Sequence, residues 1–118
     1  MLYLIQNNNF YVKVSLHRKT DYELEINRII RKVSDISGIS ENKLKSKSKE
    51  GDIVEWRHII CFICRENKYG TFKEIGYKLG DRHHSTIIYG AEKVQHMIDA
   101  NDIYLMNKLN RVKMLINK

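Results

Sequence analysis

Proline is absent from this 118-residue chain, and cysteine and tryptophan are scarce, with two and one respectively. Without proline there is no rigid turn and no helix breaker of that kind, which suits helices joined by short turns. Two cysteines, Cys61 and Cys64, cannot build a disulfide framework, and no secretion pattern precedes them, which points to a reducing, cytoplasmic compartment. No apolar run is long enough to span a bilayer and no signal-peptide pattern is present, so no membrane association is expected. Acids are in deficit, 14 against 21 lysines and arginines, for a formal charge of +7. A basic chain suits a polyanionic partner.

Catalytic patterns are missing too. There is no Gly-x-x-x-x-Gly-Lys phosphate loop, no nucleophile beside a base, and no paired carboxylates in a cleft-forming context. The expectation is a protein that is not an enzyme and carries no cofactor. Cys61-x-x-Cys64, with His58, His83 or His84, could suggest zinc, but the pair sits inside an apolar helical run. Buried core thiols fit that setting better, so no metal is expected.

The length suits one domain with one modest core. Residues 1–20 stand apart. Phe10, Val12, Val14 and Leu16 alternate with Tyr11, Lys13, Ser15 and His17, a period of two that signals a strand. Residues 2–5 are also β-prone, and Gln6 to Asn9 are turn-formers, so a short N-terminal β-hairpin is expected, with a disordered leader as the alternative. An isolated hairpin is marginal. Pairing of residues 10–16 between two chains would give a homodimer.

From Asp21 to residue 118 the period is helical. Leu24, Ile26, Ile29, Ile30, Val33 and Ile36 sit at helical spacing, with Asp21 as cap and Gly38 as stop. Ser40 caps a short turn anchored by Leu44. Lysine then occupies positions 43, 45, 47 and 49 with no acid before Glu50, a stretch expected to be solvated and mobile, and suited to phosphate contact or groove entry. Asp52 and Glu55 read as a capping box opening a helix to about Asn67, apolar nearly all round and therefore central. Thr71 and Glu74 form another such box. The helix they open ends at Gly80, and a second helix runs to about Asp99. A last helix follows Asn101 or Asp102 and carries Ile103, Leu105, Met106, Leu109, Val112, Met114 and Leu115. This is an all-α, Trp-repressor-like helix-turn-helix bundle, with the motif at residues 71–99.

The second motif helix sorts its residues. At about 100° per residue, Arg82, Ser85, Thr86, Tyr89 and Lys93 fall on one side. Ile87, Ala91, Val94 and Ile98 fall on the other, with Glu92 off the edge. The first side is all donors and cations, as expected of a helix whose N-terminal end enters the DNA major groove.

Residues 71–93 resemble the DNA-binding domain of DnaA, the bacterial replication initiator. The family's Gly-Gly-Arg-Asp-His-(Ser/Thr)-Thr-Val-(Leu/Ile)-His-Ala stands here as Gly80-Asp81-Arg82-His83-His84-Ser85-Thr86-Ile87-Ile88-Tyr89-Gly90. Phe72-Lys73-Glu74-Ile75-Gly76 is similar to the family's Leu-x-Glu-Ile-Gly. The resemblance covers roughly residues 24–115.

It implies specific binding of double-stranded DNA, in replication initiation or its control. Transcriptional regulation by the same motif, or a module recruiting replication proteins, are the alternatives. A cytoplasmic, nucleoid-associated protein follows. The resemblance implies a basic loop entering the minor groove, with Lys49 as the residue that enters and Lys47 in the same loop, and a phosphate-contacting Arg57. It also implies a basic position at Arg65 and a groove-side Lys73. His84, Ser85 and Thr86 match the family's base- and phosphate-contacting run, while Arg82, Tyr89 and Lys93 are DNA-contact candidates from the helix face and His83 from its place beside them. On the helical wheel His84 falls toward the core instead.

Two positions depart from the family. His83 replaces an aspartate that caps the helix and accepts from a cytosine amine. Asp81 replaces a glycine and stands where it could take over the cap. A preferred DNA site different from the family's usual box follows. The initiator's ATPase module is not in this sequence.

Overall fold

A computed structural model describes the backbone of residues 8–117 and the side chains of residues 22–117. Six helices follow one another: α1 (Asn8–Ser37), α2 (Glu41–Leu44), α3 (Gly51–Glu66), α4 (Phe72–Lys78), α5 (His84–Asp99) and α6 (Ile103–Ile116). Among the described residues there is no strand, and the protein is an all-α helix-turn-helix bundle.

The core is built around α3. Trp56, Ile59, Ile60, Cys61, Phe62, Ile63 and Cys64 are all buried, so this helix is wrapped on nearly every side. α1 meets it with Ile26, Ile29, Ile30 and Val33, one turn apart along a single stripe. α5 lies on α3 with Ile87, Ala91 and Val94, and α6 closes the bundle with Leu105, Leu109 and Val112. Each large aliphatic so buried contributes about 1.5–3 kcal/mol relative to exposure.

The outer seam is polar. Lys108 lies 5.0 Å from the Trp56 ring centroid and bridges Asp52 at 3.0 Å and Glu55 at 2.5 Å. Arg28 donates to the Ile116 carbonyl at 2.7 Å, tying α1 to the end of α6.

Local signals explain most helix ends. The Ser40 hydroxyl accepts from the Lys43 amide, and Asp102 accepts from that of Leu105. Thr71 and Glu74 exchange both bonds of a capping box at 3.1 and 2.8 Å. Gly38 and Gly80 end their helices at φ +76° and +86°, the left-handed region that glycine enters freely.

Several expectations are corrected. Residues 10–16, read as a strand, lie within α1, which passes through Asp21 rather than starting there. No glycine or proline interrupts residues 8–37. Extending a helix adds one hydrogen bond per residue ordered, whereas a lone hairpin is marginal. The other half of that hairpin, residues 2–5, lies outside the described residues. A dimer made by strand pairing loses its strand.

Asp52 is not a cap. α3 starts one residue before it, after Glu50, which makes no side-chain cap bond, and Asp52 serves Lys108 instead. Leu24, Ile103 and Met114 are exposed. At about 100° per residue each falls on the side of its helix opposite the buried stripe.

The helix-turn-helix corner is set by close backbone approach. The Arg82 amide donates to the Gly76 carbonyl at 2.8 Å, and the Asp81 amide to that of Tyr77 at 3.2 Å. A Cβ on Gly76 would run into the Arg82 carbonyl oxygen. Alanine is the better helix former by about 1 kcal/mol, so propensity alone favours Gly76→Ala. The corner predicts the opposite sign: a net loss of about 1–3 kcal/mol from overpacking, read from the urea midpoint. A stabilised variant would mean the turn is free to move away.

Candidate nucleic-acid interface

The turn after α4 delivers the start of α5 to the surface. His84, Ser85, Thr86, Tyr89 and Lys93 are all exposed, while Ile87, Gly90, Ala91 and Val94 are buried. The angular sorting read from the sequence holds for Ser85, Thr86, Tyr89 and Lys93 against Ile87, Ala91 and Val94, and His84 joins the exposed set; Arg82 precedes the helix and is half-buried, and Ile98 is half-buried on the inward side. As the first residue of the helix it does not obey the ideal wheel that turned it inward.

His83 is the N-cap of α5. Its Nδ1 accepts from the Ser85 amide at 3.2 Å and lies 2.8 Å from the Ser85 hydroxyl. A backbone amide only donates, so this nitrogen must present its lone pair. In the neutral ring the proton then sits on Nε2, which becomes a donor. Asp81 does not take over the cap. It occupies the left-handed region at φ 58°, a conformation aspartate tolerates better than most residues and glycine better still.

The lysine stretch lies beside this helix. Lys43, Lys47 and Lys49 are exposed, whereas Leu44 is fully buried and anchors the stretch to the core. Its backbone is tied down, which the sequence reading of a mobile arm missed. Arg57, only 6% exposed, donates from Nε to the Leu44 carbonyl at 2.7 Å. Its Nη1 donates to Ser48 O at 2.6 Å, and its Nη2 to Ser46 O at 2.8 Å and Lys43 O at 3.4 Å.

Arg82 joins from the other side. It donates to Ser46 O at 2.6 Å, Leu79 O at 2.5 Å and Lys45 O at 3.5 Å. The Ser46 carbonyl thus receives both guanidinium groups. Burial first, then the charge of Arg82, pushes the Arg57 pKa down, and burial does the same to Arg82. The inward-pointing carbonyls supply the negative ends of dipoles that hold these two cations close together.

Between the arm, α3 and α5 lies a groove of about 280 Å³. Lys47, Lys49, Arg57, Arg82 and Thr86 border it, over a floor of Val54, Cys61, Leu79 and Ile87. His58 lines it as well and meets Tyr89 edge-on, with centroids 5.9 Å apart. Burial, then Lys93 and Arg57, pushes the His58 pKa down, which favours the neutral ring. Burial pushes the Cys61 thiol up to about 12, so it is protonated and inert as a nucleophile. Among the described residues no group of three or more His, Cys, Asp or Glu is placed to hold a metal ion.

Five sequence-selected residues thus share one groove, and His83, His84, Ser85, Tyr89 and Lys93 continue the same helix face. Arg65 does not line the groove. It lies two turns along α3 from Arg57 with its guanidinium 5.4 Å from the Phe62 ring centroid. Lys73 is exposed in the first turn of α4. The sequence reading missed the carbonyls of residues 43–48 as ligands for arginine, because backbone acceptors leave no trace in residue type. It also treated His58 only as a candidate zinc ligand and a family position. Its spacing one residue after Arg57 on an amphipathic helix was the available signal.

A family model described as the bacterial DnaA protein helix-turn-helix matches residues 26–94. The chromosomal replication initiator protein DnaA of Geotalea uraniireducens is 33% identical over 91 residues, covering 77% of this chain and 20% of that protein. The protein of the same name from Thermus thermophilus is 32% identical over 73 residues, 62% of this chain and 17% of that one. That of Porphyromonas gingivalis is 28% identical over 94 residues, 80% and 20% respectively. The chain spans about a fifth of the length of these relatives. No solved structure matches it.

Replacing His83 by alanine removes the acceptor at the start of α5, and a loss of about 0.5–2 kcal/mol is expected. Asparagine, whose side-chain oxygen can cap, should hold the loss to a few tenths. Thermal unfolding of the two variants checks this; equal losses would mean that the imidazole does not cap.

Proposed function

This chain belongs to the bacterial DnaA helix-turn-helix family, and on that premise we propose that it binds double-stranded DNA sequence-specifically, in replication initiation or its control. One observation carries the reading: His84, Ser85, Thr86, Tyr89 and Lys93 are exposed along the first turns of α5, with Glu92 the single exposed acid among them, directly beside the lysine arm. That helix end also carries the positive end of the helix dipole, which attracts phosphate oxygens. Ser85, Thr86 and His84 are placed to hydrogen-bond base edges or phosphates in the major groove. Tyr89 and Lys93 continue the face toward the backbone. Lys47 and Lys49 project from the arm toward the adjacent minor groove and its phosphates.

The reading assigns no catalysis to these residues. The relatives' name, chromosomal replication initiator protein, is what suggests replication over transcription. No described helix is long and apolar enough to cross a membrane. Cytoplasmic, nucleoid-associated residence belongs to the same proposal.

A shift assay over a salt series tests binding. The logarithm of the affinity should fall steeply with the logarithm of salt concentration. Thr86→Ala should cost about 1–3 kcal/mol on the preferred site and relax preference there. Lys49→Ala should weaken binding to all sequences and lower the salt slope by about 1. Protein that shifts no duplex at low salt would end the proposal.

The preferred site should also differ from the family's usual box. His83 caps through Nδ1 and therefore turns a donor, Nε2–H, outward, where an aspartate would turn an acceptor. Guanine O6 and N7 suit a donor, and a cytosine amine suits an acceptor. Selection from a randomised duplex library should return a site changed at one base pair, and His83→Asp should move the preference back. Recovery of the family's unaltered box by the natural protein would overturn this.

A further inference from the structure

Arg57 and Arg82 line the basic groove, yet their guanidinium groups are engaged with backbone carbonyls. Arg57 makes four hydrogen bonds, all to carbonyls of the arm, and is 6% exposed. Arg82 makes three, two of them to the arm. Together they engage the carbonyls of residues 43, 44, 45, 46 and 48, five of six in succession. A guanidinium has five N–H donors in a fixed fork, and Arg57 has spent most of them before any DNA arrives. The turn itself leaves no gap: a Cβ on Gly80 would strike the Lys45 carbonyl and Arg82 Nη1.

We propose that Arg57 and Arg82 are positioning residues that act on DNA only through the arm, holding Lys47 and Lys49 in fixed register with the first turn of α5. This rests on the DNA-binding reading above. With the carbonyls drawn inward, the arm runs as one strip of backbone over α3 and the turn, and Lys47 and Lys49 are left exposed. Arg82 precedes the α5 cap by a single residue. Its bond to Ser46 O therefore links the part that would enter one groove to the part that would enter the next. The arm and the recognition helix become one rigid reader, and the ordering cost of the arm falls on folding rather than on binding. Lysine at either position cannot replace the fork, since its ammonium is a point charge on a flexible stem.

A double-mutant cycle separates this from direct contact. Arg82→Ala is made in the natural chain and in a Lys47→Ala/Lys49→Ala background, and affinity for the selected duplex is measured at low salt. Amide exchange of the arm is followed in the same free proteins, with Arg57→Lys as a second variant that keeps the charge. If Arg82 acts through the arm, its removal costs about tenfold or more in the natural chain and less than about threefold once the lysines are gone. The arm amides then exchange faster in both Arg82→Ala and Arg57→Lys. An equal cost in both backgrounds, or arm amides that exchange as in the natural protein, overturns the proposal. Failure of the natural protein to bind any duplex, with the arm amides still loosened by Arg82→Ala, would instead sink the DNA-binding reading and leave the clamp standing.

Discussion

The Ser46 carbonyl is the point on which the basic face depends. Arg57 reaches it from the buried central helix and Arg82 from the corner of the helix-turn-helix, at 2.8 and 2.6 Å. Two like charges side by side repel, and taking them from water adds to that cost. Here several carbonyl dipoles converge on the pair, and hydrogen bonds to charged groups are stronger than neutral ones. The arm gains as well, because its buried carbonyls have no helix or sheet to satisfy them. Remove either arginine and a stretch of alternating lysines loses what holds it beside α5.

The rest of the architecture serves that junction. α3 must be buried to carry Arg57 under the arm, and its apolar surface on nearly all sides keeps it there. Gly76 and Gly80 must lack side chains, because the Arg82 and Lys45 carbonyls occupy the space a Cβ would need. Gly90 does the same for the α3–α5 contact, where a Cβ would press on His58. Charge at the interface is thus arranged in two layers: arginines below, engaged with backbone, and lysines above, exposed. The distinction follows from chemistry, since arginine suits several fixed acceptors and lysine suits a mobile phosphate.

Much of the fold was legible in order of residues. Thr71 and Glu74, Ser40 and Asp102 cap their helices as their spacing suggests, because capping is a local event within one turn. The inward and outward sides of α5 were legible for the same reason, apart from His84 at the helix end. Asp52 and Glu55 had equally good capping spacing and do not cap, since Lys108 from α6 engages both carboxylates. Residues 10–16 alternate like a strand but continue α1, where helix extension from an ordered segment outweighs a weak local pattern. Leu24 is apolar like its neighbours, yet at about 100° per residue it falls opposite Ile26 and faces solvent.

The sequence by itself settled what is encoded within one turn of chain: the helical class, the caps at Ser40, Thr71 and Asp102, the turn glycines, the sign of the charge, and the motif that carries the family. These depend on residue type and short spacing, which a linear reading retains. Which cations are free and which are committed was decided only by tertiary structure. Arg57 and Arg82 are 25 residues apart and read alike as basic residues near a motif. Their acceptors are backbone carbonyls, identical at every residue, brought into reach by the packing of α3, the arm and the turn. That is why the sequence could find the basic face but could not divide it into the side chains that present and those that support.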